Sequence, residues 1–593
     1  MNDLRQLVSQ QLLPRVARPG QYIDLEVNAR RKDPAAADLT VALAFPDTYG
    51  LGVSHLGSAV LYHMLNDIPG VACDRTYCPQ ADAEAVMREQ HIGLFGWESR
   101  LAIRNFDLVG FSLPYELCVT NVLTMLDLAG IPLHATDRGE DDPIVLGGDA
   151  LADSPEPMAE FFDLFIVGDG EGPLAELVAI MRHAKQAGTP RGETILAAAR
   201  SIESVYAPGL YCPRYDDRGA LVALEPQAEG LPVAIPRACL SDLTRSPEMR
   251  RPLVPLSEAV HERVVIEVMR GCPNACRFCQ AGATRLPVRW RTVDQIVDIA
   301  RDALAATGFD EISLLSLSTS DYPRLDELIE RLNAEFAPRH VSISLPSLRV
   351  DSQLTQLPKL TSEVRKGGLT IAAEAGSERL RKAIRKRITE EDMIAGVRAA
   401  YEAGWRRVKV YFMAGLPGET EDDIDAIFAL CRKLSLTGKE VLGQPGSISA
   451  SVSWFVPKPH TPMQWSPIRD EEYFFSVRRR LRELSQRSAV NFKFHWIERS
   501  VLEGVLCRGD RRVGTAIEAA WRNGARMDAW NESFDYARWQ AAFEDAGIDP
   551  AFFGRREMST DEPTPWSHII SPRSRDYLLS EHQRMHEALG VWG

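Results

Sequence analysis

The chain holds 593 residues, too many for one hydrophobic core, so it must fold as several domains. Apolar residues make up 45% and charged residues 25%, a globular mixture that excludes a disordered, collagen-like or disulfide-scaffold chain. The net charge of -14 opposes a broad electrostatic grip on nucleic acid. No run of eighteen apolar residues occurs, and the opening MNDLRQLVSQQLLPR has no apolar signal core, so a cytoplasmic protein without a membrane span is expected.

An N-terminal arm is expected over 1–36. From 37 to 200, short β-branched runs alternate with helical patterns, which predicts a doubly wound (Rossmann-like) parallel sheet. Its strands are expected at 39–45, 71–76, 106–112, 143–147 and 163–167. Ser54 can cap a first helix with Leu56, Val60, Leu61, Met64 and Leu65 on its apolar face. Residues 201–260, rich in proline and short strand-like runs, are expected to form a connector or small β extension.

Alternation resumes over 261–465, with strands expected near 264–269, 311–317, 341–345, 369–374, 408–413 and 447–456. TVDQ at 292–295 and GETEDD at 418–423 open two of the intervening helices. Six strand-helix steps predict a partial (β/α)6 barrel of TIM type, with reactive loops at the C-terminal strand ends. Residues 466–593 are expected to be mainly helical, with a balanced, solvated arginine face. Trp521, Trp530 and Trp539 recur there at nine-residue intervals and are expected as core anchors.

Of ten cysteines, Cys73, Cys78, Cys118, Cys212, Cys239, Cys431 and Cys507 stand apart, and most are expected as small buried side chains. Cys272, Cys276 and Cys279 instead form a C-x3-C-x2-C group just after the first barrel strand, in EVMRGCPNACRFCQAG. Three thiolates leave one position of a four-iron cluster, or of a zinc ion, for something else. Spacing alone leaves open a loop whose thiols bind nothing and a zinc knuckle completed from elsewhere. Phe278 can shield a metal centre from water.

RGCPNACRFC resembles the cluster loop of the radical S-adenosylmethionine enzymes. That resemblance implies a [4Fe-4S] cluster whose fourth iron chelates S-adenosylmethionine and whose electron yields a 5'-deoxyadenosyl radical. SLLSLSTSDY at 313–322 resembles the turn that binds the cofactor's amino group, implying Ser316, Ser318 and Thr319. EAGSERLRKAIRK at 374–386 implies Glu374 and Ser377 near the ribose or methionine, and Lys386 at the carboxylate. YFMAGLPGET at 411–420 implies backbone at Gly415 near adenine. SWFVPKPHTPMQW at 453–465 makes Lys458 and His460 pocket candidates or parts of a proline-stiffened strand exit.

The segments FPDTYGLGVSHLG, GFSLPYEL, LGGDALADSPEP and VGDGEG resemble loops of the cobalamin-binding domain found in one subclass of these enzymes. This implies Ser112, Gly147, Gly148, Gly168 and Gly170 along a corrin ring. The usual Asp-x-His-x-x-Gly fingerprint is absent: Asp47 and His55 are eight positions apart, and His55 is expected to cap or face the first helix.

The resemblance is to a functionally undefined family of such proteins. It implies a radical enzyme, a transferase performing cobalamin-dependent methylation or rearrangement at an unactivated carbon. Its reductant would be a flavodoxin or ferredoxin. The competing readings are methylthiotransferase-like tRNA modification and a non-catalytic corrin or redox sensor.

Overall fold

The structure is a computed structural model and describes residues 4–257, 259–345 and 369–590. β1 (Leu39–Phe45), β2 (Val71–Tyr77), β3 (Leu108–Ser112), β4 (Ile144–Gly148), β5 (Leu164–Ile166) and β6 (Val205–Tyr206) form a six-stranded sheet in the order β2-β1-β3-β4-β5-β6. The first five run parallel, and β6 closes the edge antiparallel to β5. β1 and β2 are buried along their whole length, as strands covered on both faces must be. The order 2-1-3-4-5 is that of a doubly wound sheet, which opens a ligand crevice where the winding reverses between β1 and β3.

The helix Leu56–Asp67 follows β1, and its N-cap is His55 rather than the expected Ser54. The His55 ring accepts from the Ser58 N–H, while Ser54 donates its hydroxyl to the Gly50 carbonyl. The next stretch supplies β6 to the sheet, a hairpin of β7 (Tyr211–Tyr215) and β8 (Leu221–Pro226), and the short β9 (Ile235–Pro236).

Barrel strand β10 (Val264–Glu267) leads into a small antiparallel pair, β11 (Met269–Arg270) with β12 (Arg289–Trp290). β13 (Glu311–Leu315) and β14 (Ser342–Ser344) lie parallel to β10 in the order β10-β13-β14. β15 (Leu369–Glu374), β16 (Arg407–Ala414), β17 (Ser447–Trp454) and β18 (Val490–Phe494) form a second parallel sheet. The six expected strands are present. β18 is a seventh, contributed by the tail that sequence predicted as mainly helical, and β19 (Ile569–Ile570) returns to pair with β9.

Val408, Val410 and Phe412 of β16 and Ile448, Ala450 and Val452 of β17 point to the outer helices and are buried. The alternate positions carry Thr370, Lys409, Tyr411, Ser449, Ser451 and Lys493, none of them buried. The inner face is thus polar and open, where a closed barrel would be filled by branched apolar side chains.

The tail is not an appendage: Leu502, Val505, Ile517 and Trp539 belong to the same core as the N-terminal sheet. Trp539 is a core anchor as expected. Trp521 is partly buried and donates to the Thr124 hydroxyl, whereas Trp530 is 37% exposed and donates to Asp47. Five isolated cysteines are buried, and Cys212 and Cys239 are exposed. No helix among the described residues is long and apolar enough to cross a membrane.

Candidate active site

The three grouped cysteines follow β11 on a loop packed back on itself. Gly271 has a φ of 89°, and a Cβ there would lie 2.6 Å from the Arg285 carbonyl oxygen, so only glycine fits. Asn274 donates its side-chain amide to the Cys272 sulfur at 3.2 Å and to Asp321 at 2.8 Å, joining the loop to the exit of β13. Cys279 caps the helix Gln280–Thr284, its sulfur accepting from the Gly282 N–H at 3.3 Å.

All three cysteines are free and partly exposed. Burial pushes the Cys276 thiol up to about 11, against the attraction of Lys386 and with the repulsion of Cys279 and Cys272. Burial raises Cys279 as well, and it too feels Cys272, Glu374 and Lys386. Thiols that repel one another when ionised suit a cationic multi-iron centre. Among the described residues no three His, Cys, Asp or Glu converge as one metal ion would require.

Ser316 and Thr319 share a hydroxyl hydrogen bond of 2.9 Å, and Ser318 donates to Asp321 at 2.6 Å. Ser318 and Asp321 meet the cluster loop through Asn274, whose amide lies 3.4 and 2.8 Å from them. Glu374 ends β15 at an irregular register with a φ of 66°, a strained conformation for this residue, and receives Lys386 at 3.3 Å.

Two other expected contacts are engaged within the protein. Ser377 caps the helix Glu378–Ala383 and donates to Asp423, which also holds Arg379. Gly415, with a φ of 95°, packs against the Phe474 ring and gives its N–H to Glu419 at 2.7 Å. Tyr473 also donates to Glu419, and burial pushes that carboxyl up to about 7.

His460 is buried, its ring bonded at 2.7 Å to the Asp153 carbonyl, and burial lowers it to about 3. Lys458 lies between Glu116 and Glu503, 2.6 Å from each. Both join the sheet domain to the barrel and tail.

A cavity of about 360 Å³ separates the N-terminal sheet from the barrel. One wall comprises the ends of β3, β4 and β5 with the helices Leu56–Asp67 and Glu171–Ala187, and the other comprises Met269–Gly271 and Leu315–Leu317. Ser112, Gly147, Gly148, Gly168 and Gly170 all line it, but the glycines serve different ends. A Cβ on Gly147 would strike the Phe165 ring at 2.5 Å, and one on Gly168 would meet the Ala238 carbonyl oxygen at 2.3 Å, so both are required by internal packing. Gly148 and Gly170 would accept a Cβ in ordinary van der Waals contact, at 3.9 Å from the Ile166 carbonyl oxygen and 3.6 Å from Leu61, so internal packing does not require glycine there.

Because the Ser58 N–H can only donate, Nδ1 of His55 is an acceptor; Nε2 therefore carries the proton and faces Asp149 at 3.4 Å. Asp149, at a φ of 75°, also binds Arg285 at 3.0 Å. Burial would raise its carboxyl, but the hydrogen bond from His55 and the charge of Arg285 hold it below the ordinary range.

Arg270, directly before the cluster loop, meets Glu267, Glu171 and Asp169 at 2.9, 2.9 and 3.1 Å, and Arg289 meets Asp169 at 2.6 Å. Sequence reasoning missed Asn274, Arg270 and Glu419. Only the proximity of Asn274 and Arg270 to the cysteines marked them, and their partners lie far away in the chain.

A parallel sheet domain, a partial barrel and a three-cysteine loop at the first barrel strand's exit define a class that the comparisons identify. "Radical SAM proteins, N-terminal" matches over residues 57–208 and "Radical SAM superfamily" over 266–431. The chain belongs to the radical S-adenosylmethionine superfamily.

An uncharacterized protein of Methanocaldococcus jannaschii is 26% identical over 517 residues, covering 86% of this chain and 97% of its own. A tRNA-2-methylthio-N(6)-dimethylallyladenosine synthase of Sorangium cellulosum is 31% identical over 206 residues, 29% of this chain and 39% of that protein. A solved structure of the cobalamin-dependent S-adenosylmethionine radical enzyme OxsB aligns with a TM-score of 0.48 at 13% identity, covering 93% of this chain and 84% of that one.

Proposed function

We propose that the protein is a radical S-adenosylmethionine enzyme that also binds cobalamin and modifies an unactivated carbon, by methylation or rearrangement. The observation carrying this reading is the single cavity bounded on one side by Ser112, Gly148 and Gly170 and on the other by Gly271 and Ser316. In support of this reading, the crevice at the strand ends of the doubly wound sheet and the entry to the cluster loop border the same space.

When bound, the reduced cluster and S-adenosylmethionine supply a carbon radical, and cobalamin supplies a methyl carrier. Cys272, Cys276 and Cys279 would hold the cluster, and Phe278, packed with Met585 and Leu416, screens it from water. Lys386 would balance the cofactor's carboxylate, the role Glu374 now fills for it. Ser316, at the cavity wall, would offer its hydroxyl toward the cofactor's amino group, with Thr319 bonded behind it and Ser318 held by Asp321. Gly148 and Gly170 admit close approach of the corrin, with Ser112 beside them. Both nitrogens of His55 are engaged, so the cobalt would have no ligand from this side chain. The polar inner face of the barrel leaves room for a substrate beneath the cofactors.

A methylthiotransferase reading draws on the Sorangium relative's barrel-sized match. Such an enzyme would need a second cluster. Cys73, Cys78 and Cys118 are buried in the sheet domain, where burial raises each thiol.

The test is anaerobic reconstitution followed by assay of 5'-deoxyadenosine under dithionite, with iron and corrin counts. About four irons, one corrin and 5'-deoxyadenosine that vanishes in Cys276→Ala are expected. Undiminished product in that variant refutes the cluster assignment, and about eight irons favour the methylthiotransferase.

A further inference from the structure

The last helix, Arg575–Leu589, ends against the cluster loop rather than in solvent. Met585 and Leu589 share an apolar cluster with Phe278, Ala383 and Ile384. At its centre Glu581 is only 2% exposed. One carboxylate oxygen, Oε2, accepts from Nε of Arg277 at 3.0 Å and from the Arg385 guanidinium at 3.1 Å; the other accepts from Arg584 at 2.8 Å. Arg277 stands between Cys276 and Phe278. Arg385 immediately precedes Lys386.

Two segments more than a hundred residues apart in sequence therefore meet on a single buried oxygen supplied by a third. The joint is reinforced at its edges. Arg277 donates its N–H to the Ile384 carbonyl at 3.0 Å and its guanidinium to the Ala383 carbonyl at 2.6 Å. Arg385, held at a φ of 58°, also reaches the Tyr577 hydroxyl at 3.2 Å. Burial opposes the charge on Glu581, but hydrogen bonds from Arg584 and Arg277 hold its carboxyl below the ordinary range. An ionised acid is what two converging guanidinium groups require, since a neutral partner would leave buried cations without a counter-charge.

We propose that Glu581 is a positioning residue whose carboxylate fixes the spacing between the cluster loop and Lys386, so that affinity for S-adenosylmethionine depends on that one charge rather than on the packing of the C-terminal helix as a whole. This rests on the reading that Cys272, Cys276 and Cys279 hold a cluster that binds S-adenosylmethionine. Glu581 touches neither cofactor; it acts through Arg277, which is covalently tied to two cluster-loop neighbours, and through Arg385, which sets the direction of Lys386. A charge-assisted hydrogen bond contributes about 1.5–3 kcal/mol, roughly tenfold or more in an equilibrium constant.

The experiment is titration of the reconstituted full-length protein with S-adenosylmethionine, read by the paramagnetic resonance spectrum and midpoint potential of the reduced cluster. Glu581→Gln keeps the shape and removes the charge. It should raise the Kd at least tenfold and shift the potential, with iron content unchanged. Arg385→Gln, at a part-exposed site, should raise the Kd at least threefold and guards against misfolding of the first variant. Leu578→Ala loosens the same helix at a buried apolar site without touching the ion cluster, and should leave the Kd within twofold. A Glu581→Gln protein with unaltered Kd and potential overturns the proposal, as does a Leu578→Ala protein with an equal loss of affinity. If the unaltered protein carries the cluster but shows no spectral response to S-adenosylmethionine, the reading beneath the proposal fails and the proposal with it.

Discussion

Arg270 offers a sharp test of how the two halves are joined. Its side chain is 15% exposed, and its guanidinium is shared by Glu267 at the end of β10 and by Asp169 and Glu171 beyond the end of β5. In Arg270→Met the methylene stem is largely replaced, but of the three gathered carboxylates Asp169 keeps Arg289 and the Leu240 N–H, Glu171 keeps the Ser246 hydroxyl, and their shared central cation is gone. Removing one partner of a buried ionic group costs about 3–5 kcal/mol, because the remaining charges have been taken out of water and are no longer compensated. That range applies with little discount, as none of the four side chains is more than 20% exposed. The cost should appear in denaturant unfolding, and as faster proteolysis between the sheet domain and the barrel.

The effect of pH follows from Asp169. Burial raises its carboxyl, but Arg270 and then Arg289 outweigh this and depress it. A depressed acid contributes stability that is present above its unfolded value and lost as pH falls through the folded one. Removing Arg270 forfeits part of that contribution, so the gap between variant and parent is full at pH 8 and narrows as pH falls below about 4 toward the depressed folded value. A loss below about 1 kcal/mol at pH 8, the level of an exposed surface pair, would refute the reasoning. So would a gap that fails to narrow in acid.

Two further outcomes follow. His55→Ala removes a helix cap and a partner of Asp149, and should cost about 1 kcal/mol in thermal or denaturant unfolding. It should leave the nitrogen hyperfine structure of bound cob(II)alamin unchanged, and loss of a nitrogen coupling would make His55 a cobalt ligand after all. Glu419, pushed up to about 7 in the fold, favours the folded state below its unfolded value of about 4.3, and that contribution is lost as pH rises through 7. Glu419→Gln can still accept from Gly415 and Tyr473, so its unfolding midpoint should exceed the parent's at pH 8 and approach it at pH 5. Parallel curves at both values would show that the carboxyl is not perturbed.

How far the sequence revealed this molecule depended on whether each signal was local. β1 is a seven-residue apolar run bounded by polar turns, and both covered faces require what the run displays. The cysteine spacing is likewise a local statement, since three thiols within eight residues share one loop whatever surrounds them. β18 was illegible because NFKF is short, carries a lysine and follows an arginine-rich helix. Only its register beside Ile448–Val452 makes it a strand, and that register is set by tertiary contact. Gly147 and Gly168 were legible as glycines without a side chain's bulk, but not in their purpose. The atoms they avoid belong to Phe165 and to Ala238, the latter seventy residues beyond Gly168.

The same limit separates Ser377 from Ser316. Both are hydroxyls just beyond a barrel strand, and the family resemblance treats them alike. Yet Ser377 already caps its own helix and gives its proton to Asp423, a residue that earned notice only for opening another helix. Ser316, by contrast, borders the cavity beside the cluster loop. A motif can nominate a side chain for a cofactor, but the competing partner that occupies it comes from elsewhere in the chain. The groups best placed to meet a ligand are therefore those whose internal hydrogen bonds leave a lone pair or a proton free on the cavity side. By that criterion Ser316 and Ser112 precede Ser377 and the Gly415 N–H as residues to substitute first.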